Sequence, residues 1–392
     1  MTPRLHVVQL EAFPRIGPYN WCLLRITTEE GLIGWGEGPL GTQPTEAQLR
    51  QVKALLQEDH PLQVEKIWRL MQRGPVGLAQ ATELALWDLA GKAQAAPVHQ
   101  LLGGKLRDRV RLYADCHAGV DWTRDEFQER VRSVRAGGPT PEPYRPEAFG
   151  RRAKQVKEEL GFTALKFDLD VPVGELRLDW EDRSLTRQEI EYMAQICAAV
   201  REALGDTDFA VDCHARWNTS DAIRLAHRLE PYDLWWFEDP VPPGNLEAMA
   251  KVTAATRQPV CTGEALVGRA GFRDLVVRQA ADIIQPDIPR TGGLWEFKRI
   301  AELAELYYIS VAPHHMTSPV ATMAAAHLCA TIPNFLALEH HCLGIRFWND
   351  LVRTPAQVIE RGFVAVPDEP GFGLEVDEEV VQQHMAGEPV RA

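Results

Sequence analysis

The amino-acid sequence predicts an α/β protein that combines a TIM-like (β/α)-barrel with an α+β capping domain. From about residue 110, short apolar runs alternate with amphipathic stretches of helical periodicity. This alternation is typical of βα units in a parallel sheet, and eight in succession favour a closed barrel over an open sheet. The eight runs are residues 110–117, 164–170, 209–214, 234–240, 259–266, 281–288, 308–315 and 335–341.

The first hundred residues follow a different pattern, which predicts the capping domain. Residues 5–38 contain three strand-like runs broken by turn residues, and residues 45–73 and 79–95 carry helical periodicity. The acidic C-terminal tail has short strand signals and is expected to return to the first domain. The predicted units are a capping domain, a catalytic barrel and a C-terminal segment that packs on the capping domain, at residues 1–108, 109–350 and 351–392.

Composition and charge narrow the class of protein. The chain has 392 residues, 45% of them hydrophobic, which is normal for a globular protein with a large core. Its formal net charge of −13 argues against a general nucleic-acid surface. No stretch approaches the apolar length of a membrane span, and the first residues lack the apolar run of a signal peptide. The seven cysteines have irregular spacing without a CxxC pair, which is typical of reduced thiols in a cytoplasmic protein.

Ionisable residues end six consecutive runs of the predicted barrel. They follow one another at about one βα unit, so they are expected at the same height on adjacent strands. The active sites of such barrels form at the carboxyl ends of the strands, and these side chains should therefore converge on one mouth. The six residues are Asp212, Glu238, Glu264, Asp287, His314 and Glu339.

Three of these residues, Asp212, Glu238 and Glu264, repeat at intervals of 26 residues and form a candidate metal site. Three carboxylates at close range cannot all stay ionised without a cation. Mg²⁺ prefers oxygen ligands and keeps positions open for water or substrate, and no cluster with zinc-type spacing competes with it. We therefore predict Mg²⁺ as the cofactor, in preference to three unrelated surface carboxylates.

A base beside such a metal indicates removal of a proton from the carbon next to a carboxylate. His314 is the candidate base, and Asp287, one strand earlier, is expected to hydrogen-bond its far nitrogen. Lys166 on the second strand is expected to pair with the carboxylate of the substrate. Glu339 on the eighth strand is expected to donate a hydrogen bond to the same oxygens. The substrate is then a small-molecule carboxylate.

A second histidine, His214, lies two residues after Asp212. Residues i and i+2 of an extended strand point the same way, so His214 is expected to face the mouth beside Asp212. An imidazole there could protonate a leaving hydroxide, contact a substrate hydroxyl, or only pack.

Six short motifs follow one another along the barrel: LKFD, VDCH, WFEDP, TGE, QPDIPRTGG and APHH. Two more, WGEG at 35–38 and ELALWDLAGK at 83–92, lie in the first domain. Together they resemble the mandelate racemase-like branch of the enolase superfamily over nearly the whole chain. The resemblance implies a modified (β/α)7β barrel. It also implies Mg²⁺ ligands at Asp212, Glu238 and Glu264, a His–Asp dyad at His314 and Asp287, a carboxylate-stabilising acid at Glu339, and the first lysine of a KxK motif at Lys166.

One departure from the family pattern bears on the reaction. Asp168 replaces the second lysine of KxK, which in racemases of this branch is the base for one face of the carbon. The Asp-x-His at 212–214 instead resembles sugar-acid dehydratases, such as galactonate and mannonate dehydratases. The resemblance therefore implies a lyase that removes water from an aldonate and gives a 2-keto-3-deoxy acid. His314 would take the C2 proton and His214 would assist loss of the 3-OH.

Specificity is expected to lie outside this constellation. Candidate substrate contacts are Arg216, Asp168, Arg290 and His315, although loop arginines are often only exposed and His315 points to the other face of an extended strand. The long connections at 135–146 and 169–189 are typical of lids or specificity loops. Barrels of this type are often symmetric multimers, so a homo-oligomer is expected.

Other functions stay open at this point. A racemase, an epimerase or a cycloisomerase of a hydroxy acid would need a second base opposite His314, and Asp168 could serve only with a raised pKa. A non-catalytic, metal-dependent sugar-acid binder is the alternative from a different class. It is disfavoured because both His314 and Asp287 are present.

Overall fold

The computed structural model of the chain describes residues 5–72, 78–119, 142–170 and 183–392. The N-terminal sheet is an antiparallel meander of three strands, β1 (Val7–Ile16), β2 (Trp21–Thr28) and β3 (Ile33–Glu37). Helices follow it along the chain: α1 (Glu46–Glu58), α2 (Val64–Met71), α3 (Leu78–Ala93) and α4 (Val98–Leu101). This is the α+β capping domain that the sequence predicts.

The long helix α3 packs directly on strand β3, and two glycines permit the close approach. A Cβ atom on Gly36 would lie 2.1 Å from the backbone oxygen of Ala81, and one on Gly34 would lie 2.3 Å from that of Ala85. Any side chain at these positions would separate helix from sheet. In the motif WGEG, Gly36 therefore permits the close packing of α3 on β3, and Glu37 contacts the barrel.

Eight parallel strands form the barrel sheet, and each begins within or beside one of the predicted apolar runs. Strand β11 pairs with β4, and Val311 bridges Phe335 in the segment before β11, so that the last strands close on the first. The strands are β4 (Arg109–Asp115), β5 (Ala164–Asp168), β6 (Asp208–Asp212), β7 (Phe237–Glu238), β8 (Val260–Thr262), β9 (Ile283–Ile284), β10 (Ser310–Val311) and β11 (Leu338–His340).

Each of the seven connections between these strands carries at least one α-helix, which gives the (β/α)7β order. The helices are α5 (Pro146–Glu158), α6 (Arg187–Leu204), α7 (Thr219–Leu229), α8 (Leu246–Ala255), α9 (Gly268–Val277), α10 (Ile288–Thr291), α11 (Leu294–Glu305) and α12 (Pro319–Cys329). Helix α6 starts with a capping box between Thr186 and Glu189, and Asn218 caps α7. The predicted fold class is confirmed.

The barrel interior is filled in two layers. The lower layer is buried and contains the residues Tyr113, Ala164, Ala210, Trp236, Cys261, Ile283, Ala312 and Ala337. Because alternate residues of a strand point the same way, the positions two residues further on form the layer nearer the carboxyl ends. These are Asp115, Lys166, Asp212, Glu238, Gly263, Gln285, His314 and Glu339. The apolar floor therefore supports a layer that is mostly ionisable.

The C-terminal segment contacts both units. It contains β12 (Val352–Arg353), β13 (Phe363–Ala365), β14 (Glu375–Val376), α13 (Glu378–Gln383) and β15 (Val390–Arg391). Strand β15 pairs with β1 of the capping sheet, whereas β13 pairs antiparallel with β4 of the barrel. The segment thus joins the two sheets.

Two buried carboxylates of the capping domain bind the N-termini of barrel helices. Glu83 accepts hydrogen bonds from the backbone N–H groups of Leu294 (3.0 Å) and Trp295 (3.1 Å), at the start of α11. Glu37 accepts from the backbone N–H of Ser318, the residue that caps α12 (3.1 Å). Because these carboxyl oxygens accept N–H groups that have no partner within the helices, the contacts hold the capping domain over the mouth of the barrel.

Two further predictions from the sequence concern the cysteines and membrane-spanning helices. All seven cysteines are buried and none forms a disulfide. Among the helices of the described residues, none is both long and apolar enough to cross a membrane.

Candidate active site

The three predicted metal ligands lie together at the mouth of the barrel. Asp212 ends β6, Glu238 ends β7 and Glu264 follows β8. One carboxylate oxygen from each lies within 4.8 Å of the others. An octahedral Mg²⁺ takes oxygen ligands, so the three carboxylates fit such an ion in number and type. Burial and repulsion from Asp212 raise the pKa of Glu238 well above its usual range, which also favours a cation here.

Lys166 lies beneath this cluster and is 1% exposed. Its Nζ donates to Glu238 Oε1 at 2.7 Å, forms an ion pair with Glu339 Oε1 at 2.7 Å, and lies 3.4 Å from carboxylate oxygens of Asp115 and Asp212. Burial lowers the pKa of the ammonium, but these carboxylates outweigh burial and hold the pKa well above its usual value. The side chain was expected to pair with the substrate. In the structure its partners are four carboxylates of the protein.

His314 and Asp287 form a buried pair. His314 Nδ1 lies 2.8 Å from Asp287 Oδ2, and Nε2 faces Glu264 Oε2 at 3.5 Å and Glu339 Oε2 at 3.9 Å. Burial lowers the pKa of His314, but Glu264, Glu339 and the hydrogen bond to Asp287 outweigh it and raise the pKa to about 9. The Nε2 atom therefore points into the space between two carboxylates, where a substrate atom could reach it.

Glu339 lies at the centre of strand β11 and is fully buried. Its Oε2 accepts the backbone N–H of His315 at 2.7 Å, while its Oε1 binds Lys166. Burial raises the pKa of Glu339 to about 7, and Lys166 opposes the shift. A carboxyl with this pKa can supply a proton to substrate oxygens near neutral pH.

His214 lies on the other side of the carboxylate cluster. Its backbone has φ +44°, so the chain turns here and does not stay extended as expected. The ring nevertheless lies beside Asp212, with Nε2 3.6 Å from Asp212 Oδ2 and Nδ1 2.9 Å from Asp170 Oδ1. Burial lowers the pKa of His214, but Asp212 and Asp170 outweigh it and raise the pKa well above its usual value. These carboxylates therefore favour the protonated form of the ring.

The four predicted substrate contacts take different places. The exposed side chain of Arg290 donates from Nη1 to the backbone oxygen of Glu264 at 3.1 Å, so it stays at the mouth. Arg216 is buried with its guanidinium 5.5 Å from the ring of Trp217. Asp168 Oδ2 lies 3.2 Å from Nδ1 of His117, which follows strand β4.

His315 needs a correction as a substrate contact. Its ring is 1% exposed, with Nε2 2.6 Å from Thr317 Oγ1 and 2.9 Å from Thr322 Oγ1 on helix α12. The ring thus points away from the mouth. The residue reaches the site only through its backbone N–H, which orients Glu339.

Sequence reasoning missed a polar group between the first and last strands. Asp115 ends β4, His117 follows it, and His341 follows β11. His117 and His341 pack edge to face with ring centroids 4.1 Å apart, and both face Asp115. A signal for Asp115 was available, because it lies two residues after the inward-facing Tyr113. Strands β4 and β11 become neighbours only when the barrel closes, so one sequence does not reveal the contact with His341.

The two long connections predicted as specificity loops lie largely outside the described residues. Only 142–146 of the first and 169–170 with 183–189 of the second are described.

With this geometry in view, comparison with known families identifies the chain. Residues 8–103 match the mandelate racemase/muconate lactonizing enzyme N-terminal domain, and residues 148–380, more than half of the chain, match the enolase C-terminal domain-like family. The chain belongs to the mandelate racemase/muconate lactonizing enzyme family. This confirms the resemblance drawn from the sequence motifs.

Several relatives that are similar to the chain are named as dehydratases. It is 40% identical to D-xylonate dehydratase of Haloferax volcanii over 94% of this chain and 86% of that protein. It is 32% identical to a D-galactonate dehydratase family member of Streptomyces bingchenggensis, over 92% and 88% of the two chains. A crystal structure of a mandelate racemase/muconate lactonizing enzyme-like protein from Rubrobacter xylanophilus superposes with a TM-score of 0.87, at 37% identity over 98% of each chain. The prediction of a hydro-lyase of the enolase superfamily is confirmed at this level.

Proposed function

We propose that the protein is a Mg²⁺-dependent dehydratase that converts an aldonate into a 2-keto-3-deoxy acid. One observation carries this proposal. Two histidines with different partners, His314 with Asp287 and His214 with Asp170, face one carboxylate cluster from the ends of strands β10 and β6. Dehydration needs a base at one carbon and an acid at the next, which this pair of histidines supplies.

Asp212, Glu238 and Glu264 would hold the Mg²⁺. When bound, the ion supplies positive charge to the carboxylate of the substrate, whose oxygens become more negative as the neighbouring carbon loses its proton. Lys166 and Glu339 add a buried ammonium and a carboxyl of raised pKa on the barrel side of the same oxygens. Such charge stabilisation acts mainly in the transition state and so accelerates the reaction.

With Glu264 holding the Mg²⁺, one of the charges that raise the pKa of His314 would be neutralised, and the neutral form of His314 takes the proton from C2 on Nε2. The hydrogen bond between Nδ1 and Asp287 holds the tautomer with a free Nε2 and stabilises the imidazolium that forms. The electron pair of the broken C–H bond moves into the C2–C1 bond, so an enediolate forms.

Loss of water follows on the opposite side. The C3–O bond breaks, the proton of His214 passes to the departing hydroxide, and a C2–C3 double bond forms. The resulting enol takes up a proton at C3, loses the proton of its C2 hydroxyl and becomes the 2-keto-3-deoxy acid. Atoms and charge balance: the hydroxide from C3 and the proton from His214 form water, the C2 proton stays on His314, and exchange with solvent returns both histidines to their starting states.

The five-carbon aldonate D-xylonate is the first substrate to test, because the 40% identical relative is named for it. The test is a screen of purified protein with Mg²⁺ against a stereochemically complete set of aldonates and aldarates, with keto product detected as its semicarbazone. The proposal expects one strong substrate and no activity after EDTA treatment or in His314→Asn.

The alternatives appear as different outcomes of that screen. A racemase or epimerase would exchange the C2 proton with D₂O and give no keto product. Asp168, its candidate second base, instead binds His117. A cycloisomerase would give an isomer without loss of water, and a non-catalytic binder would retain Mg²⁺ and ligand without exchanging the C2 proton.

A further inference from the structure

A tyrosine of the capping domain touches a histidine of the barrel next to the site. Tyr19 lies in the turn between β1 and β2, and its hydroxyl is 3.1 Å from Nδ1 of His341. The two rings also pack edge to face at a centroid distance of 5.4 Å. This contact joins residues that are 322 positions apart in the chain, and it reaches the group that sequence reasoning missed.

The contact continues into the carboxylate cluster. His341 Nε2 lies 3.5 Å from Asp115 Oδ2, and the same Asp115 oxygen lies 3.4 Å from Lys166 Nζ. Lys166 in turn binds Glu238, a candidate metal ligand, and Glu339 at 2.7 Å each. A single row of polar groups thus leads from the capping domain to the oxygens that would hold the cation and the substrate.

The protonation states along this row decide which group donates and which group accepts in each contact. Burial raises the pKa of the Tyr19 phenol, so the hydroxyl keeps its proton and can donate. Burial and His117 lower the pKa of His341 well below its usual value, so the ring is neutral and carries one N–H. Burial raises the pKa of Asp115, but His117 and Lys166 outweigh it and hold the pKa well below its usual range, so this carboxyl only accepts. His341 must then accept from Tyr19 on Nδ1 and present Nε2–H to Asp115.

We propose that Tyr19 is a positioning residue of the active site, which fixes the Nε2–H tautomer of His341 so that Asp115 holds Lys166 between Glu238 and Glu339. Lys166 has three N–H groups and four carboxylates within reach. Asp115, on strand β4, lies on the opposite side of Lys166 from Asp212, on strand β6, and orients the ammonium group from that side. Tyr19 does this without contacting the substrate. Its effect on turnover, but not its effect on His341, rests on the proposed function.

The kinetic test compares Tyr19→Phe with the wild type on the aldonate found by the screen. We expect kcat to fall by about 10-fold or more, as for partners of metal-ligand groups, with KM within about twofold. Tyr192→Phe is the matched control, because Tyr192 lies on helix α6, its hydroxyl donates to the backbone oxygen of Tyr144, and its loss should leave kcat unchanged. A kcat within twofold of wild type, or a change confined to KM, overturns the proposal, and the second result would make Tyr19 a substrate contact.

A second comparison separates positioning from mere stability. His341→Gln keeps one acceptor and one donor on the side chain and should retain most of kcat, whereas His341→Leu should lose as much as Tyr19→Phe. The double variant Tyr19→Phe/His341→Leu should be no slower than either single variant, because both act through one row. The proposal is contradicted if the increases in activation free energy of the two single variants add up in the double variant.

A spectroscopic test needs no substrate, so it stands even if the screen finds no aldonate. In protein labelled with ¹⁵N-histidine, the ring signals of His341, assigned with His341→Gln, should show the Nε2–H tautomer. In Tyr19→Phe, the Nδ1 signal should move toward that of an acceptor without a hydrogen bond. An Nδ1–H tautomer in the wild type, or unchanged signals in Tyr19→Phe, overturns the proposal whatever the fate of the proposed function.

Discussion

Two histidines at one mouth differ in their partners, and the partners decide their roles. His314 is buried against Asp287, with its other nitrogen between Glu264 and Glu339. His214 is half-exposed and lies between Asp170 and Asp212. At the residue scale, the assignments of base and acid therefore rest on neighbouring carboxylates and not on the histidines alone.

Replacing the base should stop the chemistry. His314→Asn is expected to lower kcat by about 10²- to 10⁴-fold, the usual contribution of a general base, without loss of Mg²⁺ binding. Steady-state kinetics on the aldonate measures this. His227→Asn is the control, since that ring lies on the outside of α7 against the Ala255 backbone oxygen. A His314→Asn variant with more than a tenth of wild-type kcat would exclude this histidine as the base.

Replacing Lys166 is expected to lower the stability of the folded protein. Lys166→Met leaves its buried carboxylates without their cation, so the free energy of unfolding at pH 8 should fall by about 3 to 5 kcal/mol. The loss should be smaller at pH 5.5, because the unpaired carboxylates have raised pKa values in the variant and take up protons as the pH falls.

Denaturant unfolding measures this loss, with Lys298→Met as control. Lys298 pairs with Glu302 at 3.0 Å on the surface of α11, where an ion pair contributes little. Equal losses for the two variants would show that Lys166 is not the central cation of the site.

At the element scale, the capping domain is attached through the N-termini of α11 and α12. Burial raises the pKa of Glu83 to about 7, and the backbone N–H groups of Trp295 and Leu294 oppose the shift. A raised folded pKa gives stability that is present below the unfolded pKa and is lost as the pH rises through about 7. The contact between Glu83 and α11 should therefore weaken from pH 5 to pH 8.

The variant Glu83→Gln tests this attachment. It cannot accept all the N–H groups that Glu83 accepts, so at pH 5 it should be less stable than wild type by about 1 to 3 kcal/mol. The variant has no titratable group at position 83. The difference in unfolding free energy between wild type and variant should therefore become smaller toward pH 8. Thermal and denaturant unfolding at both pH values measures it, with the exposed Glu388→Gln as control. A difference that grows with pH would mean that the ionised carboxylate stabilises the contact.

Sequence patterns predict elements well where each strand carries its own signal. The eight apolar runs give the barrel, and the ionisable residue after each late run gives the dyad and the carboxylates. The pattern does not give the turn of the backbone at His214, whose ring still lies beside Asp212, nor a neighbour that comes from another part of the chain. Asp115, His341 and Tyr19 meet only after the barrel closes and the capping domain covers it.

On the scale of the whole molecule, the site should couple metal binding to stability. Mg²⁺ binds only where the folded chain brings Asp212, Glu238 and Glu264 together, so it should raise the unfolding free energy by about 2.7 kcal/mol at a hundred times its Kd. Thermal unfolding against Mg²⁺ concentration measures this. Glu264→Gln should need more Mg²⁺ for the same shift, and it should fold because Glu264 is the most exposed of the three side chains. No Mg²⁺ effect on wild-type unfolding would contradict the metal site.

The central claim is that one histidine removes the C2 proton and the other assists loss of the 3-OH. The most direct measurement follows the C2 hydrogen of the aldonate in D₂O with Mg²⁺, for wild type, His214→Asn and His314→Asn. We predict that His214→Asn exchanges the C2 hydrogen for deuterium and forms little keto product, while His314→Asn does neither. Exchange that persists in His314→Asn, or full dehydration by His214→Asn, would contradict the account.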